Sequence, residues 1–123
     1  MISRGSAPQV LVLEDEPIIA LNIEGILRDE GFDIAASLAT CASAIEWLMT
    51  HYADVALLDV DLQDGSCELV AQRLLDLGIP FVVFSGSNPG EETIDPVFLK
   101  GAWLAKPAAS PRIVEAVRAQ LPR

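Results

Sequence analysis

Short apolar runs that stop abruptly at polar residues alternate along this chain with stretches in which apolar positions recur every three or four residues. The runs are Gln9–Leu13, Phe32–Ser37, Val55–Asp59, Ile79–Phe84 and Ala102–Ala105. Short, nearly continuous apolar runs of this kind predict strands buried on both faces. The stretches between them predict helices. Pro17, preceded by Glu14, Asp15 and Glu16, opens a helix to about Glu30 that Gly31 stops, with Ile18, Leu21, Ile23, Ile26 and Leu27 as its apolar positions. Thr40 to Tyr52 places Ala44, Ile45, Leu48 and Met49 on one face, and Cys67 to Leu77 ends at Gly78. Ser110 and Pro111 supply an N-cap and a first-turn proline for a closing helix through Leu121. The pattern weakens from Ser87 to Phe98, where Pro89 and Pro96 bracket GEETID and leave room only for a short helix or an irregular loop.

Strand and helix thus alternate from end to end, which predicts right-handed crossovers and a parallel sheet covered on both faces. The fold class is α/β: a flavodoxin-like (βα)5 domain with a doubly wound, parallel five-stranded sheet. Residues 9–123 form this one domain, and residues 1–8 (MISRGSAP) form a disordered N-terminal tail, too short and too polar for a signal peptide. A length of 123 residues, 51% of them hydrophobic, suffices for one proper core.

Charge narrows the function classes. Eighteen acidic against eight basic residues give a net charge of -10, which opposes the basic surface that nucleic-acid binding needs. No apolar run approaches the roughly 20 residues of a membrane span. Cys41 and Cys67 are far apart, form no CxxC and fall in helical patterns, so they read as small hydrophobes carrying reduced thiols, in keeping with a cytoplasmic protein.

The chemically pointed residues, Glu14, Asp15, Asp59, Asp61, Ser85 and Lys106, all lie at or just past the ends of apolar strands. In a parallel sheet those ends are neighbours, and ligands of open α/β sheets bind there. Carboxylates gathered without compensation repel one another, and a divalent cation such as Mg²⁺ resolves the conflict with its preference for carboxylates, a backbone carbonyl, waters and a phosphoryl oxygen. Asp59 as nucleophile, Lys106 as fixed positive charge and Ser85 as hydroxyl donor complete what an aspartyl-phosphate requires.

Glu14-Asp15 after VLVL, Asp59 in ALLDVDL, Ser85 after PFVVF and Lys106-Pro107 in LAKP, in this order and at these spacings, resemble the receiver domain of two-component response regulators over nearly the whole chain. PFVVFSG with a poor fourth helix is similar to the stand-alone receivers that carry a PFxFATGY-type motif. The resemblance implies that Asp59 is phosphorylated, that Glu14, Asp15, Asp59 and the backbone carbonyl of Asp61 hold Mg²⁺, that Lys106 binds the phosphoryl group and that Ser85 is the switch hydroxyl. Trp103 stands as the aromatic switch, and the Lys106-Pro107 bond is cis in many family members. The implied partners are a sensor histidine kinase or a histidine phosphotransfer protein, and a downstream protein target, with a homodimer among the contacts that the family admits. A small phosphodonor is a further source of the phosphoryl group, and neither nucleic acid nor a membrane is a partner. Such a single-domain regulator signals through protein contacts rather than through turnover of a substrate.

The rival from another class is a phosphohydrolase of the haloacid dehalogenase type, in which Asp59 is the nucleophile and Asp61 a general acid. That family takes its last acidic pair from downstream of the lysine, whereas here the acids are upstream, at 14 to 16. Asp64 and Gly65 read as turn formers, His51 as a helix C-terminal residue, and Trp47 as packing.

Overall fold

The computed structural model describes residues 7–91 and 93–122. Residues 1–6 of the expected tail, and Glu92, lie outside the described residues. The strands are β1 (Gln9–Leu13), β2 (Asp33–Leu38), β3 (Val55–Leu58), β4 (Asp61–Leu62), β5 (Gly65–Ser66), β6 (Phe81–Ser85) and β7 (Ala102–Ala105), and the helices are α1 (Pro17–Asp29), α2 (Cys41–Leu48), α3 (Glu68–Asp76) and α4 (Ser110–Arg118). Five of the strands form one sheet in the order β2-β1-β3-β6-β7, with every pairing parallel. The expected doubly wound sheet is therefore present. β4 and β5 form a separate antiparallel hairpin in the loop that follows β3.

The all-apolar strands bury both faces. Val10, Val12, Val55, Leu57, Val82, Phe84 and Leu104 point to the side covered by α1 and α4, whereas Leu11, Leu13, Ala56, Leu58, Phe81 and Val83 point to the side covered by α2 and α3. Alternate residues of one strand thus serve opposite layers, as a period of two requires. Gly31 and Gly78, at φ +92° and +73°, follow α1 and α3 and provide the left-handed turns into the next strands.

Two local expectations need correction. The apolar positions of α1 do not form one stripe: Ala20, Ile23 and Leu27 are buried, but Ile18 and Leu21 are 81% and 68% exposed. Ile18 and Leu21 fall off the face that meets the sheet, because a helix that lies on a sheet buries only part of its circumference. The cysteines are not separate thiols either. A disulfide joins Cys41, the first residue of α2, to Cys67, the N-cap of α3. Their separation in sequence hides this pairing, which follows from the crossovers that set the start of α2 beside the loop after β3.

Among its described residues, the weak segment after β6 holds no α-helix. It runs through turns to a 3-10 helix, Pro96–Lys100, which Asp95 caps by accepting from Val97 N–H at 2.9 Å. Phe98 is fully buried against the α2 and α3 side and anchors the segment.

Candidate functional site

The strand order makes neighbours of the carboxyl ends of β1, β3, β6 and β7. Glu14 and Asp15 follow β1, Asp59 follows β3, Ser85 ends β6 and Lys106 follows β7. One carboxylate oxygen from each of Glu14, Asp15 and Asp59 lies within 4.8 Å of the others. Lys106 reaches into this cluster, with Nζ donating to Glu14 Oε1 at 2.6 Å and to Asp59 Oδ2 at 2.9 Å. Phe84 lies beneath the ammonium, with its ring centroid 5.4 Å from Nζ.

Burial gives these charges their weight. Glu14 is only 5% exposed, and its second oxygen accepts from Glu16 N–H at 3.0 Å, so its carboxylate is fixed at both ends. Burial on its own disfavours the Lys106 ammonium, but the hydrogen bonds it donates to Glu14 and Asp59 and their attraction outweigh it, and the Lys106 pKa lies above the ordinary 10.5. One cation thus faces three acids. That surplus of negative charge and the hard oxygen donors of the cluster fit a divalent cation such as Mg²⁺.

Ser85 is buried, and its Oγ accepts from Ser87 N–H at 3.1 Å. Its carbonyl accepts from Lys106 N–H at 2.9 Å, which ties the serine to the lysine strand. Trp103, paired with Val83, is half-buried on the α2 and α3 side, and its Nε1–H is buried with no hydrogen-bond partner. The Lys106-Pro107 bond is cis.

Asp61 stands apart. It begins β4 with an exposed side chain, opposite Ser66 on β5, and its carboxylate is not one of the clustered three. The dehalogenase reading, which needs Asp61 as an acid beside Asp59, gains nothing from this placement. The aspartate read as a plain turn former has more to do: Asp64 accepts from Cys41 N–H at 2.6 Å and from Ala42 N–H at 3.0 Å, and so caps α2 from the loop after β3. Those two N–H groups hold the Asp64 carboxyl below its ordinary 3.8. Nothing in the sequence signals this cap, because it joins positions 23 and 22 residues apart.

Residues 10–118 match the family model of the response regulator receiver domain. The chain belongs to that family. This receiver is 25% identical over 120 residues to the transcriptional regulatory protein PdtaR of Mycobacterium tuberculosis, covering 94% of this chain and 57% of PdtaR. It is also 25% identical over 119 residues to the chemotaxis protein CheY of Bacillus subtilis, covering 94% of this chain and 98% of CheY. Among solved structures, a CheY-like response regulator receiver domain protein from Methanospirillum hungatei superposes with a TM-score of 0.81 at 19% identity, covering 94% of each chain. The receiver thus spans a little over half the length of PdtaR and nearly all of CheY. Among the described residues, no helix is long and apolar enough to cross a membrane.

Proposed function

We propose that this receiver accepts a phosphoryl group on Asp59 from a phosphohistidine of a sensor histidine kinase or phosphotransfer protein, or from a small phosphodonor, and signals through protein contacts in the cytoplasm. The observation that carries the reading is Lys106 bonded to Asp59 Oδ2 at 2.9 Å within a cluster of three acids from two strand ends. Lys106 holds the nucleophile in place and presents its charge where phosphoryl oxygens would lie. An Asp59 carboxylate oxygen attacks phosphorus, the bond from phosphorus to the donor breaks, and the donor atom takes up a proton.

Asp15, Asp59, the Asp61 carbonyl and, directly or through water, Glu14 would hold Mg²⁺, which supplies positive charge against the developing negative charge of the transferred group. Ser85 Oγ accepts one N–H already and has its own proton to donate to a phosphoryl oxygen. That inward pull bears on β6 and β7 together, since Ser85 pairs with Ala105 and Val83 with Trp103. Trp103 then acts as the aromatic switch, and residues 87–102, joined to Ser85 at one end and to the lysine strand at the other, form the output surface for a downstream protein or a second copy of the chain.

The test is phosphorylation with a small phosphodonor and Mg²⁺, read by mass spectrometry of the intact protein. Wild type should gain one phosphoryl adduct, and Asp59→Asn, which removes a repelling charge at constant shape, should gain none while keeping its fold. An adduct on the Asn variant overturns the assignment.

A further inference from the structure

The disulfide lies where it can act on this site. Cys67 closes the segment that starts at Asp59 and contains the β4–β5 hairpin, and its partner Cys41 starts α2, with Cα atoms 5.7 Å apart. Other bonds fix the same hairpin. Asp64 caps α2, Gln63 N–H donates to the Ala39 carbonyl at 3.2 Å, and Cys67 N–H donates to the Val60 carbonyl at 2.9 Å. The covalent link is the one among these that chemistry can switch.

Disulfides are rare in a reducing cytoplasm, and those that occur there are usually transient, serving catalysis or redox sensing. We propose that Cys41–Cys67 is a redox-sensitive strap on the loop that follows the phosphoacceptor: closed, it holds the hairpin tightly against α2, and opened by a dithiol reductant, it loosens the hairpin and with it the place of Asp61 in the metal site. The inference rests on the receiver reading, which assigns the Asp61 carbonyl to that site.

The exchange is balanced and its entry point is defined. Cys67 is buried and Cys41 is half-buried, so a thiolate of the dithiol attacks Cys41 Sγ and Cys67 leaves as a thiolate that takes up a proton. The second thiolate of the reductant then attacks the mixed disulfide, releases Cys41 as a thiol and closes the reductant's own disulfide. The reductant gives up two electrons and two protons, and the protein receives both. Asp64 and Gln63 keep their bonds in the open form, so the hairpin loosens rather than unfolds.

The experiment compares the oxidised full chain, the chain reduced with a dithiol and the double variant Cys41→Ser/Cys67→Ser. Alkylation and mass spectrometry count the free thiols, amide hydrogen exchange follows residues 59–67, and tryptophan fluorescence follows titration with Mg²⁺ alone. The expected result is that a dithiol exposes both thiols in the folded protein. Exchange should accelerate severalfold in residues 59–67 but not in the sheet, and half-saturation should need severalfold more Mg²⁺. The double variant should match the reduced form whether or not dithiol is present. Equal exchange of residues 59–67 in both forms overturns the proposal, as does a disulfide that yields only after unfolding. Loss of protection throughout the sheet on reduction overturns it too, because the bond would then be a staple for the whole fold. The exchange measurement decides the strap even if Asp59 is never phosphorylated, a result that would sink only the phosphoacceptor assignment.

Discussion

Lys106 is the residue on which the resting site depends. It sits 19% exposed between Glu14, whose side chain is 3% exposed, and Asp59, at 14%, so its removal leaves two nearly dry carboxylates facing each other. Breaking a fully buried pair costs about 3–5 kcal/mol, and the solvent left to this ammonium reduces the expected loss for Lys106→Met to about 2 kcal/mol in urea unfolding at neutral pH. The pH dependence has a definite sign. A lysine whose pKa rises on folding contributes stability that is complete below its unfolded value, near 10.5, and is lost as pH rises through the folded value. Wild type should therefore lose stability across that range, as pH climbs from about 10.5 through the folded value, more steeply than Lys106→Met does. The identities of these residues were legible in the sequence from their places at strand ends. The sharing of Lys106 between Glu14 and Asp59 was not, since a residue pattern sets no distances.

At the scale of elements, the segment between β6 and β7 shows both how far reading by pattern reaches and where it stops. Pro89 and Pro96 correctly limited the helix, but the 3-10 turn owes its place to Phe98, a tertiary anchor that local propensity does not reveal. Phe98→Ala should cost about 3 kcal/mol, measured by thermal unfolding, because the cavity lies between the segment and α3 rather than at a surface that can collapse. The same limit explains α1. Its helical period was plain, yet Ile18 and Leu21 proved exposed, because a period identifies a stripe without saying how wide a sheet will cover it. Strand ends were read more closely, since an apolar run that stops at a carboxylate marks its own boundary.

For the whole molecule, the alternation of runs and helices sufficed for the sheet and its two covered faces, because parallel pairing and right-handed crossovers leave few other arrangements. The disulfide escaped, since two cysteines 26 residues apart carry no signal until the topology brings them together. The strand order also has a consequence for how the chain assembles. Among the described residues β7 is an edge strand that pairs only with β6, and Lys106 meets Glu14 across 92 residues. β1 and β3, which pair directly, can bring Glu14, Asp15 and Asp59 together well before the end of the chain supplies the cation. A polypeptide emerging from the ribosome would thus hold three like charges together until its last strand docks, and that docking is a late, charge-relieving event. Because salt screens such repulsion over about 10 Å at 0.1 M, raising the ionic strength should speed refolding in stopped-flow mixing more in Lys106→Met, which never gains its cation, than in wild type.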